Sequence, residues 1–215
     1  MSNQVFGRTN EHYPKLWAAL TVSAESTPEE LVEAVRELKI PIDITSQPGL
    51  WGGFLRGGNE VLSVKSSTHY ERATSQDHAT DLMQAHLIEV LSSLGRPMIE
   101  FYFLRVRRVV EEFQINGTLA ALEFAKQEGH IKHIALAAEG PTMAVQSVWQ
   151  FHDAFEAVLL RPEDQPLASM AAERRVGIVS SVPNDFNNFE SEKTYLVTVN
   201  SVAQVSRLGG LMHAD

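Results

Sequence analysis

The sequence has no cysteine. That excludes disulfides, thiolate nucleophiles and cysteine-bound zinc or iron–sulfur sites, and it is what a reducing cytoplasm leads one to expect. It also lacks any apolar run of the roughly 18 residues that a membrane span needs, and its first ten residues are polar with no apolar centre. Neither a span nor an export signal is expected, so the cytoplasm is the expected compartment. Positive charge is scarce: 18 Lys and Arg stand against 27 Asp and Glu, a formal net charge of −9. Such a chain lacks the counter-charge for a general role on nucleic acid or an anionic membrane, and neither is expected as a partner. A G-x-G-x-x-G dinucleotide fingerprint, a fixed-period repeat, a low-complexity tract and a linker long enough to divide the chain are missing as well.

What is present is 215 residues, 44% of them hydrophobic, which reads as one globular domain over 1–215. About 250 residues is typical of an eight-stranded α/β barrel, so one barrel fits only with trimmed loops.

Thr27-Pro28-Glu29-Glu30 is a capping box with proline at the first helical position, and Leu31, Ala34, Val35 and Leu38 follow at helical spacing. A helix is predicted to about Lys39. Pro41 to Ser46 reads as a buried strand with Asp43 near its carboxyl end. Five glycines between Pro48 and Asn59 predict a loop, because glycine loses the most backbone entropy on ordering. Glu60 to Ser67 reads as the next strand. From Ala79 an apolar face recurs at Leu82, Met83, Leu87, Val90, Leu91 and Leu94, interrupted by His86 and ended by Gly95 and Pro97. Strands over 98–106, 133–138, 154–160, 176–182 and 194–199 then alternate with helices over 118–128, 141–152 and 164–175. With a strand at 16–22 there are eight strand signals, nearly all separated by helix signals. The pattern predicts an α/β fold, a minimal (β/α)8 TIM barrel, with an open doubly wound sheet as the alternative.

Two stretches carry a family resemblance. Ser75 to Phe103 (SQDHATDLMQAHLIEVLSSLGRPMIEFYF) resembles the helix and "SLxxLGxxYIDLY" strand of the aldo-keto reductases, and Thr118 to Leu136 (TLAALEFAKQEGHIKHIAL) is similar to their "TLEALEELVKEGKIRAIGV". The resemblance runs from about Thr27 to Val182. It implies a barrel that reduces carbonyls with NADPH through an aspartate, a tyrosine five residues later, a lysine on the next strand and a histidine closing the strand after that. Asp43 matches the aspartate, and Lys65, in Leu62-Ser63-Val64-Lys65, matches the lysine. Pro48 falls where the tyrosine belongs and Arg105 where the histidine belongs. The family's nicotinamide contacts fare no better: its Ser-Asn pair falls on Ala137-Ala138, its glutamine on Leu159 and its stacking aromatic near Pro162. Proline has no proton to give and alanine no hydrogen bond for a carboxamide. The resemblance therefore implies a degenerate catalytic tetrad, no expected cofactor, and weak or absent use of NADPH.

Asp43, Lys65 and Arg105 sit at the carboxyl ends of three consecutive strands, so they should converge at a barrel mouth as the candidate catalytic group. The plainer alternative is an inherited ion pair of Asp43 with Lys65, with Arg105 filling the histidine's space. With Arg105 the trio carries a net charge of +1, which suits a carboxylate or phosphate ligand. Three residues are candidate ligand contacts: Trp51 as an apolar wall, Tyr70 as the nearest titratable hydroxyl, and Glu139 as a second carboxylate. Each has a plainer reading, as a tryptophan packed on the rim, a tyrosine with nothing but proximity behind it, and a helix-capping or exposed glutamate. Arg107 and Arg108 read as a solvated run, and His86 as a partly buried histidine with a partner. His130 and His133 straddle a helix end and a strand, so no metal site is expected. Three functions stand at this stage. The first is binding of a small anionic or polar molecule, or its conversion without hydride transfer as by a cofactor-free isomerase or lyase. The others are a non-catalytic barrel regulating a protein partner, and a divergent NADPH-dependent oxidoreductase.

Overall fold

The computed structural model describes residues 5–212. Residues 1–4, the start of the polar amino terminus, and 213–215 lie outside the described residues. Eight parallel strands close a barrel in sequence order: β1 (Leu16–Leu20), β2 (Ile42–Asp43), β3 (Leu62–Lys65), β4 (Ile99–Val106), β5 (Ile131–Ala138), β6 (Ala157–Leu160), β7 (Gly177–Val182) and β8 (Thr194–Val199). The ladder from Leu16↔Tyr195 to Leu20↔Val199 joins β1 to β8, which rules out the open doubly wound sheet. Around the strands lie α1 (Pro28–Leu38), α2 (Pro48–Leu55), α3 (Gln76–Leu94), α4 (Glu112–Gln127), α5 (Thr142–Phe151), α6 (Gln165–Glu173) and α7 (Val202–Met212).

Because side chains alternate along a strand, the sheet sorts the apolar residues into two cores. Trp17, Phe101, Phe103, Ala135, Ala137, Ala157, Leu159, Val179 and Leu196 fill the barrel interior, while Tyr102, Leu104, Leu136, Val158 and Val197 face the helices. The interior is aromatic on β1 and β4 and small on β5. A short amino-terminal segment plugs the lower end: Val5 bridges His12, and Phe6 stacks edge-on to Tyr13 and against Trp17. Gly177 is required there, since a Cβ on it would lie 2.6 Å from the Phe6 ring.

The predicted helix starts are present. Thr27 and Glu30 form the reciprocal capping box of α1, Ser75 caps α3, and Gly95 ends α3 in the left-handed conformation at φ 57°. Three elements differ from the sequence reading. The glycine-rich stretch predicted as loop begins with helix α2; Pro48 starts it, and Gly52 lets it press on α3 so closely that a Cβ would stand 2.5 Å from the Ser93 carbonyl oxygen. Helix α4 starts before Thr118, at Glu112, because Glu111 and Gln114 make a capping box. Helix α7, after β8, has no counterpart in the sequence reading; between β7 and β8, where no helix is predicted, residues 183–193 cross as an irregular strap. Among the described residues no helix is long and apolar enough to cross a membrane.

Candidate active site

Asp43, Lys65 and Arg105 do end neighbouring stretches of β2, β3 and β4 on the inner face, at the carboxyl end of the barrel where such folds place their active sites. The alternative ion pair of Asp43 with Lys65 is not the one formed, however. Lys65 does not pair with Asp43; its Nζ donates to Glu139 Oε1 at 2.9 Å, and Arg105 donates from Nε and Nη2 to Glu139 Oε2 at 2.9 and 2.7 Å. Glu139, which follows β5 directly, is therefore neither a helix cap nor a solvent-exposed glutamate. Its side chain is 25% exposed and is clasped by both cations. Burial pushes its carboxyl up, but the hydrogen bonds and charges of Lys65 and Arg105 outweigh burial and hold it below the ordinary glutamate value.

Asp43 is sealed in behind them, 3% exposed. Its Oδ2 accepts from the Ser63 hydroxyl at 2.9 Å and from the Thr45 hydroxyl at 3.1 Å, and its Oδ1 from the Thr45 amide at 3.1 Å. Burial pushes this carboxyl above the ordinary aspartate value; the Lys65 charge and the Thr45 and Ser63 hydrogen bonds oppose that push without cancelling it. With Glu139 counted, the cluster is neutral when both carboxylates are ionised, not +1 as the trio alone implied. Thr45 also accepts from the Lys65 amide at 2.8 Å, and Ser66 from the Arg105 amide at 3.1 Å. Sequence reasoning passed over Thr45, Ser63 and Ser66. The signal was there, because Thr45 lies two residues after Asp43 and Ser63 two before Lys65, on the same face of each strand by the period of two.

Trp51 and Tyr70 do not line the mouth. Trp51 is fully buried within α2, its indole N–H donating to the Ser46 hydroxyl at 3.0 Å, so neither ring face is open to a ligand. Tyr70 is buried too, and its hydroxyl donates to the Arg105 carbonyl at 2.6 Å; burial raises its pKa well beyond the ordinary phenol value, so it holds its proton. The other three tyrosines are engaged elsewhere: Tyr13 donates to Glu11 at 2.6 Å, Tyr102 meets His86 at 2.5 Å, and Tyr195 accepts from the Glu190 amide at 3.1 Å. Each of the chain's four tyrosine hydroxyls is thus engaged by a group other than Asp43, and Tyr70, at the same end of the barrel, is buried with its hydroxyl on the Arg105 carbonyl. His86 has its expected partner in Tyr102, and burial lowers its pKa. Arg107 and Arg108 are half exposed, yet both grip the buried Glu71. His133 lies near the opposite end of the barrel, 3.1 Å from the Tyr13 hydroxyl and 3.3 Å from Glu156. Among the described residues no group of three or more His, Asp or Glu side chains could hold a metal ion.

No protein-family model matches the sequence and no curated protein is similar to it. Solved structures do match it. An aldo-keto reductase of Brucella melitensis superposes with a TM-score of 0.78 at 11% identity, over 99% of this chain and 93% of that one. The holo form of a Bacillus halodurans aldo-keto reductase gives 0.76 at 15%, over 100% and 92%. A Bombyx mori aldo-keto reductase in complex with NADP gives 0.59 at 14%, over 82% and 64%. The chain therefore has the aldo-keto reductase fold, in agreement with the resemblance carried by Ser75–Phe103 and Thr118–Leu136.

The nicotinamide of such a cofactor would need hydrogen-bonding side chains beside the mouth. At those positions β5 ends in Ala137-Ala138 and β6 carries Leu159, all buried and without a polar side-chain atom. These residues do not fit the ring.

Proposed function

We propose that the protein binds a small anionic molecule, a carboxylate or a phosphate ester, at the barrel mouth through Lys65 and Arg105, and that it does so without NADPH-dependent carbonyl reduction. One observation carries the reading: the two cations, from adjacent strands, are already closed on a single carboxylate, that of Glu139, through three hydrogen bonds. The guanidinium supplies two parallel donors and the ammonium a third, the arrangement that holds carboxylate and phosphate oxygens best. An incoming anion has only to displace Glu139, which is tethered at the end of β5 and partly exposed. Asp43, sealed behind the cations and bonded to Ser63 and Thr45, supports the site from below, and any turnover would be of the isomerase or lyase kind, without hydride transfer.

Carbonyl reduction is the rival reading, supported by the fold and by the NADP held in the Bombyx mori neighbour. It requires an acid at the developing alkoxide and an amide-binding pair for the nicotinamide, and Pro48, Ala137 and Ala138 supply neither. Calorimetric titration with succinate, citrate and glycerol 3-phosphate tests the proposal. At least one should bind saturably, and Lys65→Ala or Arg105→Ala should weaken it about 10-fold or more, since a hydrogen bond to a charged group is worth about 1.5–3 kcal/mol. Failure of all three to bind, or binding indifferent to both substitutions, would refute it.

A further inference from the structure

The outer wall of the barrel is open where the seventh crossover lacks a helix. Leu160 of β6, Ser180 of β7 and Tyr195 of β8 are paired side by side across the sheet, and all three line a cavity of about 320 Å³. Ile178, two residues before Ser180 on the same face, extends its floor, α6 forms one side through Ala168, and Phe186 of the 183–193 strap covers it. The strap is a built wall. Phe186 and Phe189 pack against Tyr195 at 5.4 and 5.1 Å between ring centroids, Arg207 of α7 donates to the Asn184 and Phe186 carbonyls, and Lys15 donates to the Ser191 carbonyl.

Two features define an occupant. Ser180 is 5% exposed and lines the cavity with its hydroxyl bonded to no other described residue; the oxygen keeps contact with the cavity's space, where a ligand group would meet it. The charged residues in the lining balance formally, Lys15 and Lys193 against Glu190 and Glu192; Lys193 bonds Glu190 at 2.6 Å, and Lys15 donates to the Ser191 carbonyl of the strap. A helix about 10 Å across fills roughly 400 Å³ per turn, so the space the strap leaves cannot take a partner's helix in place of the absent one. A volume near 320 Å³ does lie within the range of small-molecule pockets.

We infer that this cavity is a second ligand site, separate from the mouth, for an uncharged and largely apolar ring compound bearing one hydrogen-bonding group that pairs with Ser180. The aromatic walls supply apolar area and the hydroxyl fixes orientation.

Fluorescence titration of the full chain with 2-naphthol, and displacement of it by naphthalene, tests this. The parent should bind 2-naphthol saturably and about 5-fold more tightly than naphthalene. Ser180→Ala should abolish that preference while leaving naphthalene binding in place, and Ile178→Trp, which fills the floor, should remove both. Lys65→Ala should bind as the parent does, which separates this site from the mouth whichever way the anion titrations fall. The inference is overturned if the parent does not saturate, if Ser180→Ala keeps the preference, or if Lys65→Ala loses binding. Should Ile178→Trp fail to fold, the Ser180→Ala comparison decides alone.

Discussion

Glu139 and Asp43 are two carboxylates at one mouth whose surroundings push them in opposite directions, and pH separates them. Glu139 is held below its ordinary value, so its bonds to Lys65 and Arg105 contribute fully above the ordinary glutamate pKa and are lost as pH falls through the lowered native one. Asp43 is raised, so the native state keeps a proton that the unfolded chain releases; its contribution is greatest below the ordinary aspartate pKa and declines as pH rises to the native value. Denaturant unfolding from about pH 3 to about pH 8 checks both signs. Glu139→Gln should be less stable than the parent by about 1–2 kcal/mol near neutrality and should converge with it in acid. Asp43→Asn should flatten the decline that the parent shows on the way up from acid. In anion titrations the two variants also part: Glu139→Gln should tighten succinate or phosphate-ester binding severalfold, because the internal competitor becomes neutral.

Among the elements, α2 shows most clearly what a sequence conceals. Its glycines read as a loop on local propensity alone, yet Gly52 is spent on contact with the Ser93 backbone of α3, a distance that no local pattern displays. The same physics predicts a contrast between neighbours. Gly52→Ala should destabilise by about 1–3 kcal/mol through overpacking, whereas Gly53→Ala, whose Cβ would meet nothing within 4 Å, should stabilise by about 0.5–1 kcal/mol through helix propensity. Thermal or urea unfolding of the two variants would settle the point, and equal effects would contradict it. Where caps and periodicity act within one segment, as in the Thr27–Glu30 box or the Gly95 stop, the sequence was legible to within a few residues. The strap over 183–193 carries no helical period and forms no helix, but nothing in it announces a cavity, because the space arises from what three strands and α6 leave uncovered. The mouth was legible in part for the same reason. Strand ends placed Asp43, Lys65 and Arg105, while the choice of Glu139 over Asp43 as their partner depends on a loop that bends back from β5.

For the whole molecule, eight strands and a −9 chain fold into a barrel whose interior is filled by aromatic and small apolar side chains, with Asp43, Lys65, Arg105 and Glu139 gathered at one mouth. The fold is that of aldo-keto reductases, and fold does not fix function. What decides between reduction and simple anion binding is the side-chain inventory at that mouth: two cations, a clasped glutamate, a buried aspartate, and alanines where an amide would need partners. A fluorescence titration of the protein with NADPH, run alone and again in the presence of saturating succinate, tests this most directly. The account predicts no saturation at micromolar nucleotide in either run and no oxidation of NADPH when an aldehyde is added. Saturable micromolar binding followed by aldehyde-dependent loss of NADPH absorbance would contradict it.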